Sequence, residues 1–203
     1  MNKISVKTLK NMIQRAEFQI IFRLLQDKAK VNSNYRQLAA EAATSIGSVH
    51  NTMQSLMEKG YIVEDGKKRL LRKRTSLLDR WARAYADGLK ERFFIARFTF
   101  LTPQVKECWR NICLPENVSW GGEPAAALLD NYLRPERWDV YTADNANALI
   151  TTGRMIPKAD GEIYVYRRFW DEAGTPPVVV YADLMAVDND RCREAAERIR
   201  EMV

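Results

Sequence analysis

One stretch constrains this chain more than any other: residues 34–74, where two helix signals, a tight turn and a cation-rich strand follow in order. Asn34 can cap a helix, with Gln37 as its reciprocal partner three residues on, and Leu38, Ala39 and Ala42 give that helix a buried side. After a break at Ala43–Thr44, Ser45 is a second N-cap, and Val49, Met53, Leu56 and Met57 recur at helical spacing. Ser48, His50, Asn51 and Gln54 are left on the outer side, and Gly60 suits a helix C-terminus. Two short strand segments, Tyr61–Glu64 and Lys67–Arg72, then flank Asp65-Gly66, a strong hairpin signal. The expectation is a winged helix–turn–helix, in which one helix lies in a DNA groove beside a basic hairpin.

The residue types on these elements suit that task. Ser45, Gly47, Ser48, His50, Asn51 and Gln54 would face the major groove. Asn51 and Gln54 can each bond adenine through two hydrogen bonds, and Ser48 can serve a base or a phosphate. His50 reads as an exposed helix residue or phosphate contact rather than a pH switch, since it has no acidic partner nearby in sequence. Lys67, Lys68, Arg69 and Arg72 would position the protein on phosphates, with Leu70 and Leu71 anchoring the wing. If four cations each neutralise one phosphate, log K should fall with log salt at roughly −3 to −4.

Flanking signals complete an α+β chain: an N-terminal winged helix–turn–helix and a mixed α/β C-terminal domain with a small sheet. An amphipathic helix is expected over about 12–29, with Phe18, Ile21, Phe22 and Leu25 on its apolar face. Ser76 with Asp79 resembles a capping box, opening a helix that carries Leu77, Leu78, Trp81, Ala84, Tyr85 and Leu89 on one side. Strands are expected at 93–101, 138–141 and 162–169, and helices near 103–113, 145–152 and 191–202. Another helix opens at Gly121-Gly122-Glu123-Pro124 and runs to Pro135. The domains divide as 1–75 (DNA binding), 76–92 (connecting helix) and 93–203 (α/β).

Charge separates the two halves. The net +6 combines 20 Lys/Arg against 9 Asp/Glu in residues 1–100, and 12 against 17 in residues 101–203. A basic module joined to an acidic one with another task is the plain reading. Three cysteines (Cys108, Cys113, Cys192) and a single histidine match no zinc spacing, so the thiols read as reduced and structural, with no metal or cofactor expected. No apolar run reaches membrane-spanning length, and the start lacks a signal-peptide core, so a cytoplasmic protein is expected. Catalysis finds little support. Glu123 reads as helix N-terminal stabilisation. Glu123, Asp139 and Glu162 could suggest a nuclease, but Glu162 is followed by Ile163 and Tyr164 rather than by a Glu-x-Lys pair.

The block Trp120-Gly121-Gly122-Glu123-Pro124-Ala125-Ala126-Ala127-Leu128-Leu129, with Tyr132-Leu133-Arg134-Pro135 and Trp138 to Tyr141, resembles the AbiEi-type antitoxins of type IV toxin–antitoxin systems. Trp81, Tyr85 and Leu89, and Tyr181-Ala182-Asp183-Leu184 with Arg191 and Ala195-Ala196, are similar to the same family. The resemblance implies a transcriptional regulator, not an enzyme, that represses its own operon through the N-terminal module. Its other half would counter a nucleotidyltransferase-type toxin without requiring direct contact, and a homodimer on DNA is compatible with this. Two other classes stay open. One is a regulator whose acidic half binds a small effector near Trp109, Trp120, Trp138 and Tyr141. The other is a metal-dependent nuclease with a winged-helix appendage.

Overall fold

The computed structural model describes residues 6–203, with side chains from Arg15 onward. The signal-peptide reading falls on Met1–Ser5 and lies outside the described residues. The chain is mixed α+β and divides into two compact units, Met1–Trp81 and Ala82–Val203. Among the described residues, no helix is long and apolar enough to cross a membrane.

In the first unit, α1 (Val6–Gln26), α2 (Tyr35–Glu41) and α3 (Ile46–Glu58) precede an antiparallel hairpin, β1 (Ile62–Asp65) and β2 (Lys68–Leu71), and the start of α4 (Arg74–Ala84). Helix α1 stops at Gln26 rather than continuing to 29, because the Asp27 carboxylate accepts the Ala29 N–H at 2.8 Å and starts a 3₁₀ turn over Lys28–Asn32. Its apolar surface is wider than one face. Ile20 and Leu24 are as buried as Phe22 and Leu25, and Trp81 stacks on Phe18 at 4.5 Å. Val49, Met53 and Leu56 of α3 complete this core, whereas Met57 is only half-buried.

The caps behave locally as their chemistry dictates. Asn34 accepts the Gln37 N–H at 2.8 Å, but the Gln37 side chain donates forward to Glu41 at 3.0 Å instead of returning to the cap. Ser45 accepts the Ser48 N–H at 3.0 Å. Gly60, at φ +68°, ends α3 with Tyr61 N–H returning to the Leu56 carbonyl, a bond that needs the left-handed residue between them. The hairpin loop is Gly66-Lys67, one residue later than the Asp-Gly reading, since Asp65 pairs with Lys68. Helix α4 begins two residues before Ser76, which therefore sits in the first turn and is no cap.

The second unit carries β3 (Phe94–Phe100), α5 (Pro103–Glu107), β4 (Val118–Gly121), α6 (Gly122–Asp130), β5 (Trp138–Thr142), α7 (Asn147–Thr151), β6 (Met155–Pro157), β7 (Ile163–Arg167), α8 (Pro177–Met185) and α9 (Asp190–Arg200). Its sheet runs β4-β5-β7-β3-β6, antiparallel except for the parallel pair β5/β7. The long helix expected at 103–113 is short α5 followed by a 3₁₀ turn at Trp109–Asn111. Helix α6 stops at Asp130, before Pro135, because Asn131 turns left-handed at φ +58°. Strands β4 and β6 and helix α8 had no signal. Helix α8 is buried from Val178 through Leu184, so it has no polar side to create a helical period.

Strand alternation gives this sheet two unlike faces. Asp139 and Tyr141 of β5 lie level with Tyr164 and Tyr166 of β7 and with Gly121 and Ser119 of β4. Trp120 and Trp138 alternate with them and pack with Trp109 and Phe100 in an aromatic core, ring centroids 4.8–6.5 Å apart. One face is therefore polar and buried, the other aromatic.

Candidate nucleic-acid interface and buried polar cluster

Helix α3 turns Val49, Thr52, Met53 and Leu56 inward, which leaves Gly47, His50, Asn51 and Gln54 exposed and Ser48 half-buried. The Ser45 and Ser48 hydroxyls are 2.9 Å apart and are used in capping the helix. Asn51 and Gln54 have no side-chain partner among the described residues, so their amides are available to an outside ligand. His50 meets the Tyr35 ring edge-on at 6.1 Å.

The hairpin cations fall into two groups. Lys67, Lys68 and Arg72 are exposed and have no side-chain partner among the described residues. Arg69 is engaged. Its guanidinium donates to the Tyr35 hydroxyl at 2.9 Å and lies 5.1 Å over that ring. Its backbone is clasped by Asn32, which donates to the Arg69 carbonyl and accepts the Arg69 N–H, both at 2.8 Å. Asn32 thus ties β2 to the turn before α2, a contact no local pattern announces because the partners are 37 residues apart. Nearby, Lys30 bonds Glu41 at 2.5 Å, and that bond holds the Glu41 carboxyl below its usual range.

The second unit hides a cluster that sequence reasoning missed. After α4 the helix widens over Tyr85–Leu89 and kinks at Gly88 (φ +105°), which brings Tyr85 and Lys90 to the polar face of the sheet. The Lys90 ammonium lies 2.6 Å from Asp139 and 2.7 Å from Asp183. The same Asp183 oxygen accepts the Tyr141 hydroxyl at 2.7 Å and the Tyr85 hydroxyl at 3.1 Å. Asp139 also receives Arg137 at 3.1 Å, and Arg137 donates to Tyr166 at 3.0 Å. Two cations thus face two carboxylates, which meets the condition for keeping charge away from water.

Burial alone would depress the Lys90 ammonium, yet Asp139 and then Asp183 outweigh it and hold the group above its ordinary value. Burial, reinforced by the Asp183 charge, drives the Tyr85 and Tyr141 phenols well up. Tyr166 is pushed up to about 12, chiefly by burial.

This cluster explains the Gly-Gly pair. The Gly122 N–H donates to the other Asp183 oxygen at 2.9 Å. A Cβ on Gly121 would lie 2.4 Å from the Tyr141 ring, and one on Gly122 would lie 3.0 Å from Asp139 at a backbone φ of +47°. Gly121, Gly122 and Asp183 therefore form one arrangement; Tyr132 is exposed and Pro135 half-buried elsewhere. Glu123, just past the pair and followed by Pro124 in the first turn of α6, is more than a helix-end charge. It is buried, accepts the Arg191 guanidinium at 2.9 Å and the Glu136 N–H at 2.8 Å, and lies 3.4 Å from the Cys192 thiol. Burial and then Glu123 push that thiol up to about 11. Cys192 is the buried cysteine, whereas Cys108 and Cys113 are exposed, so the structural reading fits Cys192 alone.

Each of the three carboxylates weighed for a nuclease is matched by a cation: Glu123 by Arg191, Asp139 by Lys90 and Arg137, Glu162 by Lys106. Among the described residues, no group of three or more His, Cys, Asp or Glu side chains is placed to hold a metal ion.

No curated protein and no solved structure matches this chain. A family model described as "Transcriptional regulator, AbiEi antitoxin, Type IV TA system" matches residues 69–203, from the second hairpin strand through the whole of the second unit. The span takes in the Gly-Gly pair, the buried cluster and Glu123, and the chain belongs to this family of type IV antitoxin transcriptional regulators.

Proposed function

We propose that the first unit is a winged helix–turn–helix that binds double-stranded DNA upstream of the gene, with α3 as the helix that reads bases and the β1–β2 hairpin as the wing. The observation that carries this reading is the pairing of free amides on α3 (Asn51, Gln54) with free cations on the adjacent hairpin (Lys67, Lys68, Arg72). The family match begins only at Arg69, so the reading of α3 rests on this geometry and not on the match. Ser45, Gly47, Ser48 and His50 line the same face, Ser45 and Ser48 acting chiefly through the cap. Arg69 acts mainly by holding the wing.

Binding its own upstream region would make the protein an autoregulatory repressor, and two copies could read a symmetric site. The second unit would supply the antitoxin activity, directed against a toxin of the nucleotidyltransferase class; that assignment follows from the family resemblance. The experiment is a competition between upstream DNA and a scrambled duplex, with Asn51→Ala alongside. Wild-type protein should prefer the upstream duplex, and the variant should lose about 1–3 kcal/mol of discrimination. Equal affinity of wild-type protein for both duplexes contradicts the repressor reading.

A further inference from the structure

Tyr35, the first residue of α2, touches both parts of the surface proposed to read DNA, and all of these contacts lie within the first unit. From the wing, the Arg69 guanidinium donates to the Tyr35 hydroxyl at 2.9 Å. From α3, His50 meets the Tyr35 ring edge-on at 6.1 Å. The guanidinium carbon also lies 5.1 Å over the ring, so Arg69 is held by a directional bond and a cation–π contact together.

Charge alone would send Arg69 elsewhere. Glu64 stands directly opposite it across the hairpin and is exposed, which places both side chains on one side of the ladder. Among the described residues no ion pair joins the two, and the guanidinium turns instead to a neutral hydroxyl 34 residues away. An exposed ion pair contributes little, so the tyrosine decides the direction of this arm. Asn32 clasps the Arg69 main chain, and the side-chain route leads on to α3 through Tyr35 and His50.

Arg69 is only half-buried and keeps N–H donors that have no partner among the described residues. Released from Tyr35, such a cation would gain a phosphate contact at any sequence, which raises affinity without discrimination.

We propose that Tyr35 is a positioning residue for sequence discrimination: its hydroxyl withholds Arg69 from phosphates and keeps the wing in register with α3, so that Asn51 and Gln54 decide binding. The inference rests on the DNA reading of the first unit.

The test is a salt-titrated competition between upstream and scrambled duplex with full-length wild type, Tyr35→Phe and Tyr35→Phe/Arg69→Gln. Tyr35→Phe keeps the ring beneath Arg69 and beside His50 and removes the hydroxyl alone, so the melting temperature should hold within about 4 °C. The variant should steepen the slope of log K against log salt by about 0.9 on both duplexes, the signature of one added phosphate contact. Its preference for upstream DNA should fall by roughly threefold or more, the worth of one hydrogen bond. In Tyr35→Phe/Arg69→Gln the extra slope should vanish, because the released cation is gone.

An unchanged slope or an unchanged preference in Tyr35→Phe overturns the proposal, as does a steeper slope that persists in the double variant. Where wild-type protein prefers upstream DNA, those results overturn the role of Tyr35 alone. Wild-type protein with no such preference overturns the DNA reading of α3 and this inference with it.

Discussion

The two units use the same side chains in opposite ways. In the first, Lys67, Lys68 and Arg72 stand in solvent on or beside a hairpin, over a core that is chiefly aliphatic and aromatic. In the second, Lys90 is 5% exposed between two aspartates that are 1% and 0% exposed, with two tyrosine hydroxyls on one of the same oxygens. A surface cation is cheap to keep and cheap to lose, and its value lies in what it meets outside. A buried cation is tolerated only while its partners are present, and its value lies in holding the fold. The contrast separates residues that can be read as contacts from residues that hold the interior of the second unit together.

The largest test of this contrast is Lys90→Met. It leaves Asp139 and Asp183 facing each other in the core, and urea unfolding should report a loss of about 3–5 kcal/mol. Lys67→Ala on the wing should stay within about 0.5 kcal/mol. Similar losses at both positions would erase the distinction between the units.

Glycine substitutions sharpen it. Gly121→Ala pushes a methyl group into the Tyr141 ring and should cost about 3 kcal/mol or more, at the upper end of overpacking effects. Gly66→Ala meets nothing within 4 Å and pays only for its left-handed backbone (φ +61°), roughly 1–2 kcal/mol.

Alkaline pH should separate the units without mutation. Tyr85 and Tyr141 are held neutral in the folded state above their ordinary value of 10.0, and Lys90 is held charged above 10.5. The stability they contribute is full below those ordinary values and is lost as pH rises through the folded ones. Each group has a slope limit of about 1.4 kcal/mol per pH unit. Thermal unfolding of the second unit should therefore fall steeply above pH 10, and a flat profile there would contradict the buried cluster. A smaller effect than at the buried cluster is expected at a cap: Ser45→Ala should cost about 1 kcal/mol, confined to the first unit.

Legibility in the sequence follows the range of the interactions. Caps at Asn34 and Ser45, the stop at Gly60 and the hairpin at Gly66 depend on neighbours within a few residues, and they stand close to where the pattern puts them. The Asn32–Arg69 clasp joins residues far apart in the chain, and the Lys90–Asp139–Asp183 cluster joins three separate elements; neither has a local trace. Helix α8 lacked a signal for a related reason, since burial on every side removes the period that reveals a helix. The Gly-Gly-Glu block was visible as a family likeness, but its physical cause, a phenol ring and two carboxylates pressed against backbone, belongs to the folded unit.

The most direct test of the central claim is the salt dependence of full-length protein binding to its own upstream DNA, with Lys67→Ala/Lys68→Ala measured in parallel. With Arg69 occupied by Tyr35, three free wing cations should give a slope of log K against log salt near −2.7, about 0.9 per phosphate contact. The double variant should flatten that slope by about 1.8 while keeping the preference for upstream over scrambled duplex. A slope indifferent to the two lysines, or wild-type binding with no preference between duplexes, would contradict the assignment of α3 and its hairpin as the DNA-reading surface.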